Sequence, residues 1–292
     1  MTVIMSLNCC QNNIDIVYMK NKNNSYIYII ILGLIVIFVL LVYSNRKILE
    51  TYDSNSKFWV MSFGGGGQIF YDALNRISEE LSRTNVFEEI VKFTDIDLKK
   101  DSEFWERHKD FIEKNKRGYG YWLWKPYLIK KVLDKMKEND ILLYLDAGCE
   151  VKNDDNDSLI ELLKKCGQFN FMYTSTGQLE KAYTKMDTFS KMNMINDEIL
   201  NSSQHQACVI FIKKNEITSQ FISDWYSNAC DYHIIDDGNS ILKNDPKFID
   251  NRHDQSLFSL LLKSDKYKNY MNTPNNLIAN VYPIIASRKR HG

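Results

Sequence analysis

From Tyr26 to Tyr43 the chain reads YIYIIILGLIVIFVLLVY, a run without a single charge and with only Gly33 to weaken a helix. At about 1.5 Å per residue, roughly 18 residues make a helix of about 27 Å, close to the hydrocarbon thickness of a bilayer. A buried helix of a globular domain keeps a polar stripe, and this run has none. A cleaved signal peptide fits less well, because the apolar run is longer than a usual h-region. Ser44, Asn45, Arg46 and Lys47 also follow it where a small-residue cleavage site belongs. The expectation is one transmembrane helix at residues 26–43, behind an N-terminal tail at 1–25 and ahead of a polar stem at 44–56. Lys20 and Lys22 on one side and Arg46 and Lys47 on the other leave the positive-inside rule without a vote. A short tail and a large C-terminal part give the single-pass type II layout, with the membrane unspecified.

The remaining 57–292 read as one domain. With 44% hydrophobic and 13% aromatic residues, the chain can bury a large core. Its 37 basic and 37 acidic side chains cancel, which argues against a nucleic-acid coat protein, whose affinity comes from clustered Lys and Arg. The six cysteines include no C-x-x-C spacing, so neither a zinc ribbon nor a thioredoxin-like motif is supported. In an enzyme-sized domain they read as buried thiols in preference to disulfides.

Strand-length apolar runs alternate with helical spacing. Phe58–Phe63, Ile90–Phe93, Ile141–Leu145, Phe169–Tyr173 and Ala207–Ile212 read as strands. Helices are expected at Gln68–Arg83, Ser102–Asn115, Pro126 to about Lys137, Leu159–Lys164, Ile217–Asn228 and Asp254–Leu262, with Pro126 in a first turn. This alternation predicts an α/β sandwich around a mostly parallel central sheet.

Three constellations carry chemistry, and each has a plainer reading. The Gly64–Gly67 loop between a strand and a helix can hold an anion on backbone amides, or it is simple chain geometry. It has no G-K-[ST] and no third glycine of the dinucleotide fingerprint. In YLDAGCEV, Asp146 ends a central strand, where open α/β sheets build ligand sites. A carboxylate there can hold a divalent cation against a diphosphate, with Glu150 as a possible second ligand; alternatively Asp146 caps the next turn. In RHDQSLFSLL, the cluster Arg252–Gln255 opens a helix, either as a cap or as part of a site.

KRGYGYWLWKPYLI (116–129), DILLYLDAGCEV (140–151) and RHDQSLFSLL (252–261) together resemble nucleotide-diphospho-sugar glycosyltransferases of the GT-A type. The likeness is greatest to small transferases sharing the G-Y-G-Y-W-x-W-K-P block, and it spans the chain from about Phe58 to its end. It implies a Rossmann-like three-layer sandwich in which Phe63, Gly64 and Gly65 cradle the nucleotide. It further implies donor contacts from Trp124, Lys125, Asp146 and Arg288. Asp146 would bind Mn²⁺ or Mg²⁺; with Gly148 standing where a DXD motif offers its second acid, either water and phosphate oxygens complete the site, or Glu150 or another residue helps, or the metal is dispensable. Asp254 would be the carboxylate near the anomeric carbon and Gln255 would hold hydroxyls, a pair similar to that of retaining transferases. KAYTKMD (181–187) is similar to an acceptor-side segment. Tyr119, Tyr121, Trp122, Trp124 and Tyr127 would stack on base or sugar, unless they fill the core.

The sequence therefore reads as a membrane-anchored hexosyltransferase moving sugar from a nucleotide donor to a glycan, protein or lipid. The alternatives are a sugar nucleotidyltransferase, which lacks its basic Gly-rich signature here, and a degenerate glycan-binding or scaffold protein of the same fold.

Overall fold

A computed structural model describes residues 31–37, 55–271 and 281–289. Residues 31–37 belong to the expected anchor and are helical with exposed side chains; the rest of 26–43, the N-terminal tail and most of the stem lie outside the described residues. Among the described residues no helix is long and apolar enough to cross a membrane. Residues 55–271 and 281–289 belong to one compact unit, and residues 31–37 fall outside it.

The strands are β1 (Phe58–Phe63), β2 (Glu89–Phe93), β3 (Ile141–Leu145), β4 (Glu150–Val151), β5 (Phe171–Met172), β6 (Ser175–Leu179), β7 (Ser203–His205), β8 (Val209–Lys213) and β9 (Ile284–Ile285). Five of them make a sheet in the order β2-β1-β3-β8-β5. β1 pairs parallel with β2 and β3, whereas β8 runs antiparallel to both β3 and β5, so four strands share one direction and β8 opposes them.

Side chains alternate across a strand, and here both faces are covered. Met61, Leu142, Tyr144, Ile210 and Ile212 enter one apolar layer; Val60, Ile141, Leu143, Leu145 and Phe211 enter the other. That is why ILLYL is apolar at every position: all five residues of β3 are buried. Helices α1 (Gln68–Thr84), α2 (Asp95–Lys100), α3 (Ser102–Lys114), α4 (Trp124–Leu133), α5 (Asn156–Cys166), α6 (Glu216–Ala229) and α7 (Asp254–Lys263) supply the outer layers. Helix α1 buries Leu74 and Ile77 and α5 buries Leu159 and Leu163 in the second layer, while α4, α6 and α7 close the first.

Two details differ from expectation. Helix α4 starts before Pro126, which becomes its third residue, a position whose N–H has no intrahelical acceptor, and the helix ends at Leu133. Two short antiparallel pairs, β4 with β9 and β6 with β7, were not foreseen, and the first brings the C-terminal segment to the loop after β3. Cys149, Cys166, Cys208 and Cys230 are free thiols.

Candidate functional site

The carboxyl ends of β1, β2 and β3 lie at one sheet edge, joined there by the Gly64 amide, which donates to Phe93 O at 3.0 Å. Because β8 is antiparallel, Ala207 and Cys208 arrive at the same edge, and the Asp146 amide donates to Cys208 O at 2.9 Å.

Lys125, on the first turn of α4, is 3% exposed. Its ammonium lies 2.7 Å from Asp254 Oδ2 and 3.3 Å from Asp146 Oδ1, and donates to Ala207 O at 3.0 Å. One ammonium thus makes a hydrogen bond to a carbonyl and ion pairs with two carboxylates. Burial works against both charges of the Lys125–Asp254 pair. For the lysine the two carboxylates win and hold it protonated; for Asp254 burial wins and pushes the pKa up to about 6. At 2.7 Å from an ammonium the carboxylate is ionised at neutral pH, so the pair is charged. Tyr144 OH donates to Asp146 Oδ1 at 2.5 Å. Both contacts of Asp146 fall on Oδ1, and its side chain is 35% exposed, which leaves Oδ2 without a protein partner among the described residues.

Gln255 follows Asp254 on α7. Its Oε1 accepts from the Ala207 amide at 3.3 Å and its Nε2 donates to Gln204 Oε1 at 2.7 Å. Gln204 is itself fixed, since its Nε2 donates to the buried Glu180 at 3.1 Å.

The segment leading to Lys125 is a left-handed turn. Gly118, Tyr119, Gly120, Tyr121 and Trp122 all have φ between 53° and 84°. Helix-like bonds close it, Tyr121 N to Arg117 O at 2.8 Å and Trp122 N to Gly118 O at 3.1 Å. The glycines are required twice over, by φ and by room: a Cβ on Gly120 would stand 2.6 Å from Ile112 Cγ1. Left-handed turns strain ordinary residues and persist only when their surroundings over-determine them. Tyr119 packs against Gly66 on one side, where a Cβ would come within 2.9 Å of its ring, while Tyr121 and Trp122 stack on the His253 ring on the other, at 4.8 and 5.4 Å.

Phe63 and Trp124 stack on each other at 3.8 Å and are 6% and 4% exposed, so they form the floor of the site and not its surface. Tyr121 and Tyr127 are likewise buried, whereas Tyr119 and Trp122 are partly accessible. Gly64 and Gly65 are held by packing within the loop: added Cβ atoms would stand 2.3 Å from Phe70 O and 2.7 Å from Phe63 Cζ. Asp95 fastens this loop, taking hydrogen bonds from the Gly66 amide and Tyr71 OH and pairing with Lys99 at 2.8 Å.

Glu150 does not join Asp146. It lies on β4 beside Lys289 at 3.2 Å and Lys152 at 3.6 Å, and bonds from Ser287 and Lys289 hold its pKa down at about 2. Position 148 is crowded as well, because a Cβ on Gly148 would be 3.2 Å from Arg288 Cα, and the Lys289 amide donates to Gly148 O at 2.9 Å. Among the described residues no group of three or more His, Cys, Asp and Glu side chains could hold a metal ion. The Lys125 ammonium already stands between the two nearest carboxylates, so the donor set does not fit a protein-held divalent cation.

Arg288 adopts φ 57° where the tail crosses Gly148. Its side chain is exposed, makes no hydrogen bond or ion pair among the described residues, and is near enough to Cys208 for its charge to act on that thiol. Arg76 of α1 fixes the tail and the loop together, donating to Ala147 O and Cys149 O at 2.9 Å and Lys289 O at 3.2 Å.

The structure thus brings Lys125, Asp146, Asp254 and Gln255 together, with Arg288 at the rim, Phe63, Trp124 and the glycines beneath, and Glu150 apart. Lys185 and Asp187 of the 181–187 segment are spent elsewhere, tying down the loop at 236–242. Sequence reasoning missed Tyr144, Arg76, Asp95 and Gln204. Tyr144 was legible, since residues two apart on a strand share a face and Tyr144 stands two before Asp146.

No family model and no curated relative matches the chain. Among solved structures, apo mouse xyloside xylosyltransferase 1 aligns with 70% of this chain and 81% of its own at 12% identity, with a TM-score of 0.40. The apo glycosyltransferase GlyE of Streptococcus pneumoniae TIGR4 aligns with 73% of this chain and 44% of its own at 16% identity, with a TM-score of 0.32. Likenesses this distant carry no argument about the reaction.

Proposed function

We propose that the chain is a glycosyltransferase that moves a hexose or related sugar from a nucleotide-diphosphate donor to a glycan, protein or lipid acceptor. The observation that carries this reading is the buried Lys125 bridging Asp146 and Asp254 where the parallel strands end. Open α/β sheets bind ligands at that edge. On this reading the donor diphosphate lies over the Asp146–Gly148 turn, with Lys125 below and Arg288 above. A fixed ammonium there is attracted to the charge that gathers on the leaving diphosphate and needs no reorganisation to do so. Oδ2 of Asp146 is available to accept from sugar hydroxyls, and the partly accessible Tyr119 and Trp122 offer aromatic faces. Asp254, sealed beneath Lys125, acts by fixing the ammonium, and Gln255 by fixing the Ala207 carbonyl loop. We further propose that residues 26–43 anchor the enzyme in a membrane as a single-pass type II protein, on the length and polarity of that run.

The test is to incubate the purified full-length chain with a panel of nucleotide sugars and record nucleoside diphosphate release, with Asp146→Asn as control. Release from one donor, lost in the variant, is the expected result. Pyrophosphate formation from sugar phosphate and nucleoside triphosphate would instead indicate a nucleotidyltransferase. Silence, together with no thermal stabilisation by any nucleotide, would leave a non-enzymatic scaffold.

A further inference from the structure

We propose that this site binds its donor diphosphate without a divalent cation, the chain's own Lys125 and Arg288 standing in for the ion; the inference rests on the glycosyltransferase reading above. Three independent features point the same way. The ammonium of Lys125 occupies the space between Asp146 and Asp254, 3.3 Å from Asp146 Oδ1 and 2.7 Å from Asp254 Oδ2, and donates to Ala207 O. A divalent ion drawn to those carboxylates would have to approach or displace a buried cation of like sign.

The second feature is steric. An acidic side chain at position 148 would be the natural partner of Asp146 for a metal, yet the main chain of Arg288 lies across that position, 3.2 Å from where a Cβ would begin. The strap is tied there by the Lys289 amide on Gly148 O, by the β4–β9 pair and by Arg76. Glycine at 148 therefore lets the tail pass close over the turn, and a longer side chain there would push the strap aside. The third feature concerns charge. The only other acid of that loop, Glu150, is neutralised by Lys289 and Lys152, while the strap delivers the Arg288 guanidinium, without an ion-pair partner among the described residues, to the exposed side. A planar guanidinium binds phosphate oxygens in pairs and a buried ammonium acts as a point charge, so the two together offer what a metal offers a diphosphate.

The experiment titrates the full-length protein with nucleoside diphosphates of each base and measures affinity by calorimetry, in excess EDTA and then in millimolar Mn²⁺ or Mg²⁺. The expected result is binding of one nucleotide whose Kd changes less than threefold between the two conditions. Arg288→Ala, an exposed position, weakens that binding tenfold or more, and Lys125→Met does so if it folds. The inference is overturned if EDTA weakens binding tenfold or more and Mn²⁺ restores it, or if Arg288→Ala binds as the wild type does. Failure of the underlying reading looks different, for then no nucleotide binds in either condition and this proposal falls with it.

Discussion

Replacing Lys125 by Met keeps most of the side-chain volume and removes only the ammonium. What remains is Asp254, whose side chain is 4% exposed, with no counter-charge. Removing one partner of a buried ion pair costs about 3–5 kcal/mol, and this pair is too deep for solvent to discount the figure. The carboxyl has an escape, which is to take up a proton, and that gives the cost a pH signature. In the wild-type chain Asp254 already has its pKa raised to about 6, so stability falls as pH rises from about 4 to about 6 and is then level with respect to this group. Without Lys125 the folded-state pKa climbs further, and stability keeps falling above pH 6 by about 1.4 kcal/mol per pH unit. The deficit of Lys125→Met relative to wild type should therefore grow by about 3 kcal/mol between pH 6 and pH 8. Urea unfolding of the full-length chain, followed by tryptophan fluorescence at pH 5, 6, 7 and 8, measures it. Adding Asp254→Asn to Lys125→Met should flatten the dependence and recover most of the loss at pH 8. A deficit that ignores pH and is untouched by the second substitution would refute the account of the pair as a buried, mutually compensating charge couple.

Further expectations concern positions around the site. His108 is fully buried, its ring nitrogens at 2.8 and 2.7 Å from the hydroxyls of Tyr232 and Tyr226, and burial lowers its pKa to about 4. The unfolded chain gains a proton near pH 6.5 that the fold refuses, so stability present above that pH is lost as pH falls toward 4, by about 3 kcal/mol; His108→Leu should remove that part of the acid limb in urea titrations. Gly64→Ala sets a methyl 2.3 Å from the Phe70 carbonyl, which should cost about 1–3 kcal/mol and lower Tm by several degrees in calorimetry. Gln204→Leu strands the Gln255 amide, and should destabilise by about 1–3 kcal/mol and lower nucleotide-sugar turnover more than it raises KM.

The frame of this fold is written in short-range patterns. FWVMSF, ILLYL and VIFIK are strands because they are apolar at nearly every position, and QIFYDALNRISEELSRT is a helix because its buried residues recur at helical spacing. Asp146 was placed correctly because a strand that ends in an acid puts that acid at the edge. What could not be read were contacts made across long stretches of sequence. Glu150 looked like a neighbour of Asp146, yet its partner is Lys289 on a C-terminal segment whose strand pairing there is the two-residue β4–β9, too short to show periodicity. Trp124 looks like a ligand-stacking ring, and Phe63 like part of the nucleotide cradle, until the two are found stacked on each other. The meaning of Gly148 lies entirely in the main chain that crosses it.

The left-handed turn at 118–122 bears on the order in which the molecule assembles. Holding Tyr119, Tyr121 and Trp122 there costs about 1–2 kcal/mol each, which the turn's own hydrogen bonds offset only in part. Repayment comes from Gly66, from Ile112 and above all from His253, which reaches the turn only after nearly the whole domain has closed. The central sheet can form without it. Lys125, hung from the end of the turn, reaches its carboxylates only when the glycine loop and the start of α7 are both seated. We expect the site to loosen before the sheet: in mild denaturant, ligand binding should vanish while the β-sheet signal still stands.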